Sequence, residues 1–256
     1  PFLASREEFF KGAILFENNF EYVIKDNLFF SSNLKYSIAD NFDDLRFPPI
    51  DVFPAQVRSD VKQYLKRIDD GIKIGRAQFD YHLTPKKNNH FMFTAGILEE
   101  MFSGVGFEYL YFKPNDNYAF GFEVFDVKKR DYDMRFGSLD YRNTTGSVNF
   151  YYRNYNLIPF DMEISYGEYL AGDKGFTLQL SRSFVNGVEY GIFASKTDVS
   201  SAQFGEGSFD KGIFFNIPIF GNLINYSWRP LTKDPGAKLV RKHKLHDLLV
   251  KFKPIY

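Results

Sequence analysis

Along residues 105–112, Val105, Phe107, Tyr109 and Tyr111 fall on one side of a two-residue repeat, with Gly106 and Glu108 on the other. After Lys113-Pro114-Asn115-Asp116-Asn117 the repeat resumes, with Tyr118, Phe120, Phe122 and Val124 opposite Ala119, Gly121 and Glu123. Strand side chains alternate between faces, so this is a hairpin with one bulky apolar face and one polar or tiny face. The same rhythm predicts strands over 12–24, over a return carrying Phe30, Leu34, Tyr36 and Ile38, and over 57–66, 72–83, 89–101, 104–112 and 117–129. Further strands are predicted over 144–153, 158–169, 176–184, 188–196, 212–219 and 222–230, about thirteen in all. Residues 245–252 read either as one more strand or as a helix with Leu245, Leu248, Leu249 and Phe252 on one face. Segments of about ten residues, aromatic on one face and rich in Gly, Asn, Ser and Glu on the other, suit strands that cross a bilayer. The expected fold is all-β: an antiparallel transmembrane (outer-membrane) β-barrel of about 12–14 strands, forming a single domain over 1–256.

The connections sort by length. Those at 84–87, 113–116, 154–157, 185–187 and 220–221 are short, and Asn186-Gly187 suits a tight turn with positive φ. They alternate with mostly longer, charged ones at 130–143, 170–175, 197–211 and beyond 231. Antiparallel order places the two sets at opposite ends, and outer-membrane barrels keep short turns inside and long loops outside. The Pro-rich stretch 41–55 breaks the pattern, because parity assigns it to the short-turn end.

Composition narrows the picture. Aromatic residues make up 19% of the 256 residues, with 31 Phe and 17 Tyr against one Trp, which fits a lipid-facing band with aromatic girdles. The 32 basic and 32 acidic residues cancel, which argues against a nucleic-acid partner. Cysteine is absent, so disulfide, thiol-redox and zinc-ribbon chemistry drop out. Mean hydropathy is −0.32 and no run is long enough for a transmembrane helix. The chain begins at Pro1 without a signal segment and reads as the C-terminal portion of a longer protein.

Candidate chemistry is sparse. Glu108 and Glu123 should face each other if the hairpin is symmetric about Asn115-Asp116. Two facing carboxylates require a nearby Lys or Arg, or they form an acid pair able to hydrolyse glycosidic bonds. The expected partner is a Lys or Arg from a neighbouring strand. Asn149, Tyr151, Arg153, Asp161 and Glu163 join them on the polar face, where they would line a lumen. His82, His90, His243 and His246 read as surface histidines, not metal ligands. Asp131-Tyr132-Asp133 lacks the Gly and distal Glu of a calcium loop. Ser208 sits in no nucleophile elbow. The basic run 238–251 reads as a solvated face. No cofactor or catalytic residue is expected.

Several strings resemble the YjbH/GfcD-like family of Gram-negative exopolysaccharide proteins. They are Gly96-Ile97-Leu98-Glu99-Glu100-Met101-Phe102-Ser103-Gly104-Val105-Gly106, Tyr169-Leu170-Ala171-Gly172-Asp173-Lys174-Gly175, Gly205-Glu206-Gly207-Ser208-Phe209-Asp210-Lys211-Gly212 and Trp228-Arg229-Pro230-Leu231-Thr232-Lys233-Asp234. The resemblance implies a barrel in the outer membrane of a Gram-negative bacterium that takes part in polysaccharide export. It also implies extracellular polysaccharide, outer-membrane lipid and other secretion proteins as partners. Strand parity then gathers Glu99, Glu100, Arg130, Asp131, Asp133, Asp173, Lys174, Glu206, Asp210, Lys211 and Asp234 on one rim, expected to be a collar contacting polymer or partner. Two alternatives stand beside export: a non-conducting scaffold, and a barrel-embedded carbohydrate-active hydrolase. A wide lumen favours export and a packed one favours scaffolding.

Overall fold

The computed structural model describes residues 2–3, 10–46, 57–154, 156, 158–200, 209–219, 224–228 and 234–251. Two short strands, β1 (Phe2–Leu3) and β2 (Phe10–Lys11), pair with each other. The rest of the β-structure is one antiparallel sheet of twelve strands in which every strand pairs with its neighbours in sequence. They are β3 (Ala13–Lys25), β4 (Leu28–Asp40), β5 (Lys73–Lys86), β6 (Asn89–Ile97), β7 (Phe102–Phe112) and β8 (Tyr118–Arg130). They continue as β9 (Ser138–Asn154), β10 (Phe160–Glu168), β11 (Lys174–Ser183), β12 (Glu189–Thr197), β13 (Asp210–Ile219) and β14 (Ile224–Trp228).

The two faces of this sheet reverse the usual burial. Phe16, Phe176 and Ile213 are 60–62% exposed, whereas Gln78, Glu108 and Asn149 are at most 5% exposed. The alternation that places an aromatic residue outward therefore turns a polar residue inward on the same strand. The sheet also curls. His243 reaches Glu21 on β3 and Asp80 on β5, while His246, three residues later, stacks on Tyr151 of β9. In a flat sheet β3 and β9 would stand about 29 Å apart, six spacings of ~4.8 Å. Three residues and two imidazoles cannot span that, so the wall is rolled about the segment.

Two expectations are corrected here. Residues 57–66 are not a strand: they hold a turn and the short helix α1 (Val61–Leu65). Its Val61 and Leu65 pack with buried Tyr64 and Ile68 against Leu98, Phe102 and Leu170, satisfying an apolar pattern that alternation alone had suggested. Removing that strand leaves twelve and restores parity. The described residues 41–46 and 57–72 then lie at the same end as 98–101, 131–137 and 169–173, with the described short turns opposite. The second correction concerns closure. Among the described residues β3 and β14 are the two edges of the sheet, and no ladder joins them. Closure needs first and last strands to pair along their length, and β14 offers five residues beside the thirteen of β3. Residues 245–251 resolve toward the helical reading, with one π-helical turn at Asp247–Lys251, and Phe252 lies outside the described residues.

Candidate functional site

The long-loop end is closed by a cap. Phe42, Leu45, Val57, Tyr64 and Ile68 from the β4–β5 connection pack on Leu98, Met101, Phe102, Phe125, Val127 and Met134, and on Ala237 and Leu239 from beyond β14. Ion pairs and hydrogen bonds lock this cluster. Arg58 Nη1 meets Glu99 Oε1 at 2.7 Å, and Glu99 Oε2 accepts the Val240 N–H at 2.7 Å. Lys129 pairs with Asp60, both nearly fully buried. Arg130, 1% exposed, donates to the carbonyls of Ile74, Glu99, Glu100 and Arg135 at 2.8–3.0 Å. Asp234 Oδ1 accepts three successive backbone N–H groups, from Val57 (2.8 Å), Arg58 (2.6 Å) and Ser59 (2.9 Å). Removing that acceptor strands buried donors, so Asp234→Ala is expected to cost about 3 kcal/mol. Thermal unfolding in detergent, with limited proteolysis around residue 58, checks this.

Asp173 Oδ2 accepts the Gly236 N–H at 2.8 Å. Burial pushes its carboxyl above the ordinary aspartate value, partly opposed by that N–H. An acid whose pKa is higher in the folded state binds its proton more tightly there. Its contribution to stability is therefore full at low pH and is lost as pH rises through the raised value. Asp173→Asn keeps an acceptor and sheds the charge, so it should match or exceed the parent in unfolding temperature at pH 7. That advantage should shrink as pH falls toward about 4, near the ordinary aspartate value, whereas Asp173→Ala should be less stable throughout.

Beneath the cap, residues 236–249 run along the polar face of the wall. Lys238 Nζ meets Ser165 Oγ (2.5 Å) and Glu163 (3.3 Å). Arg241 Nη2 bridges Glu108 (2.6 Å) and Glu123 (3.2 Å), and its guanidinium lies 4.2 Å over the Phe125 ring. Leu245 N–H donates to the other Glu108 oxygen at 2.9 Å. His246 stacks on Tyr151 with centroids 3.8 Å apart. Asp80 also accepts from Gln78 and Thr94, completing a polar belt on β5 and β6. The C-terminal segment thus fills the interior, with its cations set against wall carboxylates.

Glu108 and Glu123 are direct cross-strand partners, as hairpin symmetry required. The neutralising cation comes from the C-terminal segment, not from a neighbouring strand. Asn149, Tyr151, Arg153, Asp161 and Glu163 share that inner face across the β9–β10 ladder, with Arg153 pairing to Asp161. The expected rim residues separate. Glu99, Arg130, Asp173 and Asp234 are buried in the cap, while the more exposed Glu100 pairs with the inward Lys35 at 2.5 Å. Asp131 and Asp133 accept loop N–H groups of Tyr132 and Arg135. Lys174 lies 3.4 Å from Glu168, and Lys211 sits over Phe209. Asp210 opens β13 opposite Ser195, and Glu206 lies outside the described residues. Of the basic run 238–251, expected in solvent, Lys238, Arg241, His243, Lys244 and His246 instead face the interior, while Lys242 is exposed. Their signal was the excess of acidic over basic residues on the wall's polar face, which called for cations from elsewhere.

A family model described as "Exopolysaccharide biosynthesis protein YbjH" matches residues 1–251. The chain belongs to the YjbH family. It is 34% identical over 222 residues to the "Uncharacterized lipoprotein YjbH" of Escherichia coli (strain K12), an alignment covering 81% of this chain and 31% of that relative. The chain therefore spans about a third of the length of the curated relative it matches. No solved structure matches it. Two of the strings that carry the YjbH-family resemblance, 96–106 and 169–175, meet at the cap, and a third ends there at Asp234.

Proposed function

We propose that this YjbH-family chain acts in exopolysaccharide production as an outer-membrane β-structure whose interior is occupied by its own C-terminal segment. The reading rests on the inside-out wall. An apolar face that exposes large side chains such as Phe, Tyr, Ile and Val on all twelve strands of the sheet would be a severe liability in water, yet it is what a strand needs against lipid. The lipoprotein name of the Escherichia coli relative accords with a site in the cell envelope. A segment threaded along the wall occupies space that a glycan chain would need, which favours a supporting role among secretion proteins over conduction. Catalysis is not part of the proposal, because Arg241 and the Leu245 N–H already engage the Glu108/Glu123 pair.

Fractionation tests the membrane reading. The protein should sediment with outer membranes, resist carbonate extraction and migrate differently on gels when unheated. Recovery in the soluble fraction would overturn it. Deleting the protein should lower exopolysaccharide yield, and Glu108→Gln with Glu123→Gln should leave polymer length unchanged.

A further inference from the structure

The outer face of the wall is not evenly apolar. Two adjacent rows of directly paired residues cross it at right angles to the strands. One carries the rings of Tyr81, Phe93 and Phe107, the last two with centroids 5.1 Å apart. The other, one step nearer the long-loop end, runs from Phe79 to the single methyl of Ala95, then through Val105 to Asp126 and Thr144. Between the rows lies a groove of about 570 Å³, lined from Leu28 on β4 to Thr144 on β9. Five strand spacings of ~4.8 Å make it about 24 Å long, more than the ~15 Å that an acyl chain spans in half of a hydrocarbon core. Its volume is within the range of about 300–1,000 Å³ found for sites that bury a small apolar ligand and hold it by a few polar groups.

The groove ends in charge. Asp126 accepts from Arg142 Nε at 2.9 Å and pairs with its Nη2 as well, so these two cancel. Lys128 stands directly opposite Arg142 on the same outward face, exposed and in no ion pair among the described residues. Asp140, two residues beyond Arg142 on β9, is also exposed and in no such pair. Glu168 on β10 is taken by Lys174 at 3.4 Å. One cation and one anion therefore remain at this end. Like charges set directly opposite repel, and a phosphate placed between Lys128 and Arg142 relieves that repulsion. A head group that also carries an ammonium satisfies Asp140, whereas one with a net negative charge is repelled by it.

We infer that this groove holds one zwitterionic phospholipid, with an acyl chain along the two rows and the phosphate between Lys128 and Arg142. The inference rests on the outer-membrane reading above and adds the class of lipid that the wall retains. Native mass spectrometry tests it, on the full chain in detergent doped with equal amounts of dioleoylphosphatidylethanolamine, dioleoylphosphatidylglycerol and dioleoylglycerol. One lipid should stay bound, with the ethanolamine phospholipid preferred about tenfold over the other two. Ala95→Phe fills the groove and keeps the face apolar, and Lys128→Glu reverses the charge. Each should lower retention about tenfold, with unfolding temperature measured beside it to confirm folding. A parent that holds no lipid, equal retention of the three, preference for either of the others, or parental retention by either folded variant would each overturn the inference. Membrane fractionation separates the two readings. Sedimentation with outer membranes without lipid retention removes the groove alone; recovery in the soluble fraction removes the membrane role even if the phospholipid binds.

Discussion

Ending the chain after residue 235 should turn a closed protein into a cation-selective pore. The wall carries Glu17, Glu21, Asp80, Glu108, Glu123, Asp161 and Glu163 toward the interior, against Lys35, Arg76 and Arg153. Lys238 and Arg241 offset that imbalance by direct ion pairs, and Lys244 lies in the field of Glu123 and Glu163. Without the segment, the carboxylates face water along the concave side of the rolled wall, and with that wall in lipid as proposed, field lines concentrate there and counter-ions of one sign accumulate. In planar bilayers the parent should show no steps. The truncated chain should show steps whose reversal potential in a salt gradient shifts toward that of the cation. A conducting parent, or anion selectivity after truncation, would show that the segment is not the closure.

Arg241→Ala should be the most damaging single substitution in the interior. It leaves two carboxylates facing each other across the β7–β8 ladder, with Glu108 already buried, and breaking a buried pair by removing one partner costs about 3–5 kcal/mol. Arg241→Lys should recover only part of this, because an ammonium on a shorter reach cannot bridge both acids and stack on Phe125 together. The diagnostic is rescue: Glu108→Gln with Glu123→Gln in the Arg241→Ala background should restore much of the lost unfolding temperature. A single substitution that unfolds at the parent's temperature would mean that the bridge contributes little.

The strand ladder was legible because alternation is a local property. Eleven of the twelve strands could be placed within about four residues from the aromatic phase and the turns, whereas β9 begins at Ser138, inside the stretch read as a loop, and Glu108 was matched to Glu123 by counting outward from one turn. Residues 57–66 misled for the same reason. Val57, Tyr64 and Ile68 are apolar because they cap a cluster, and a short apolar run does not declare its period. The interior segment was invisible for a different reason. Its cations look like any solvated basic run until the wall they neutralise is rolled around them, and the curl of a sheet is not written in any window of residues. The collar was half legible: parity gathered Glu99, Arg130, Asp173 and Asp234 at one end, but only packing showed that they bind the protein's own backbone.

The bonds of this fold fall into two classes of sequence separation. Every ladder of the main sheet joins consecutive strands, whereas Arg241 reaches back 118 and 133 residues and His243 reaches back 222. Nearest-neighbour hairpins close small loops and form early, while contacts across most of the chain form late. The wall should therefore be assembled with its acids uncompensated, and residues 236–249 complete it afterwards. Refolding should show a fast phase in strand signal, followed by a slower one in which the interior becomes protected, with the slow phase absent from the truncated chain.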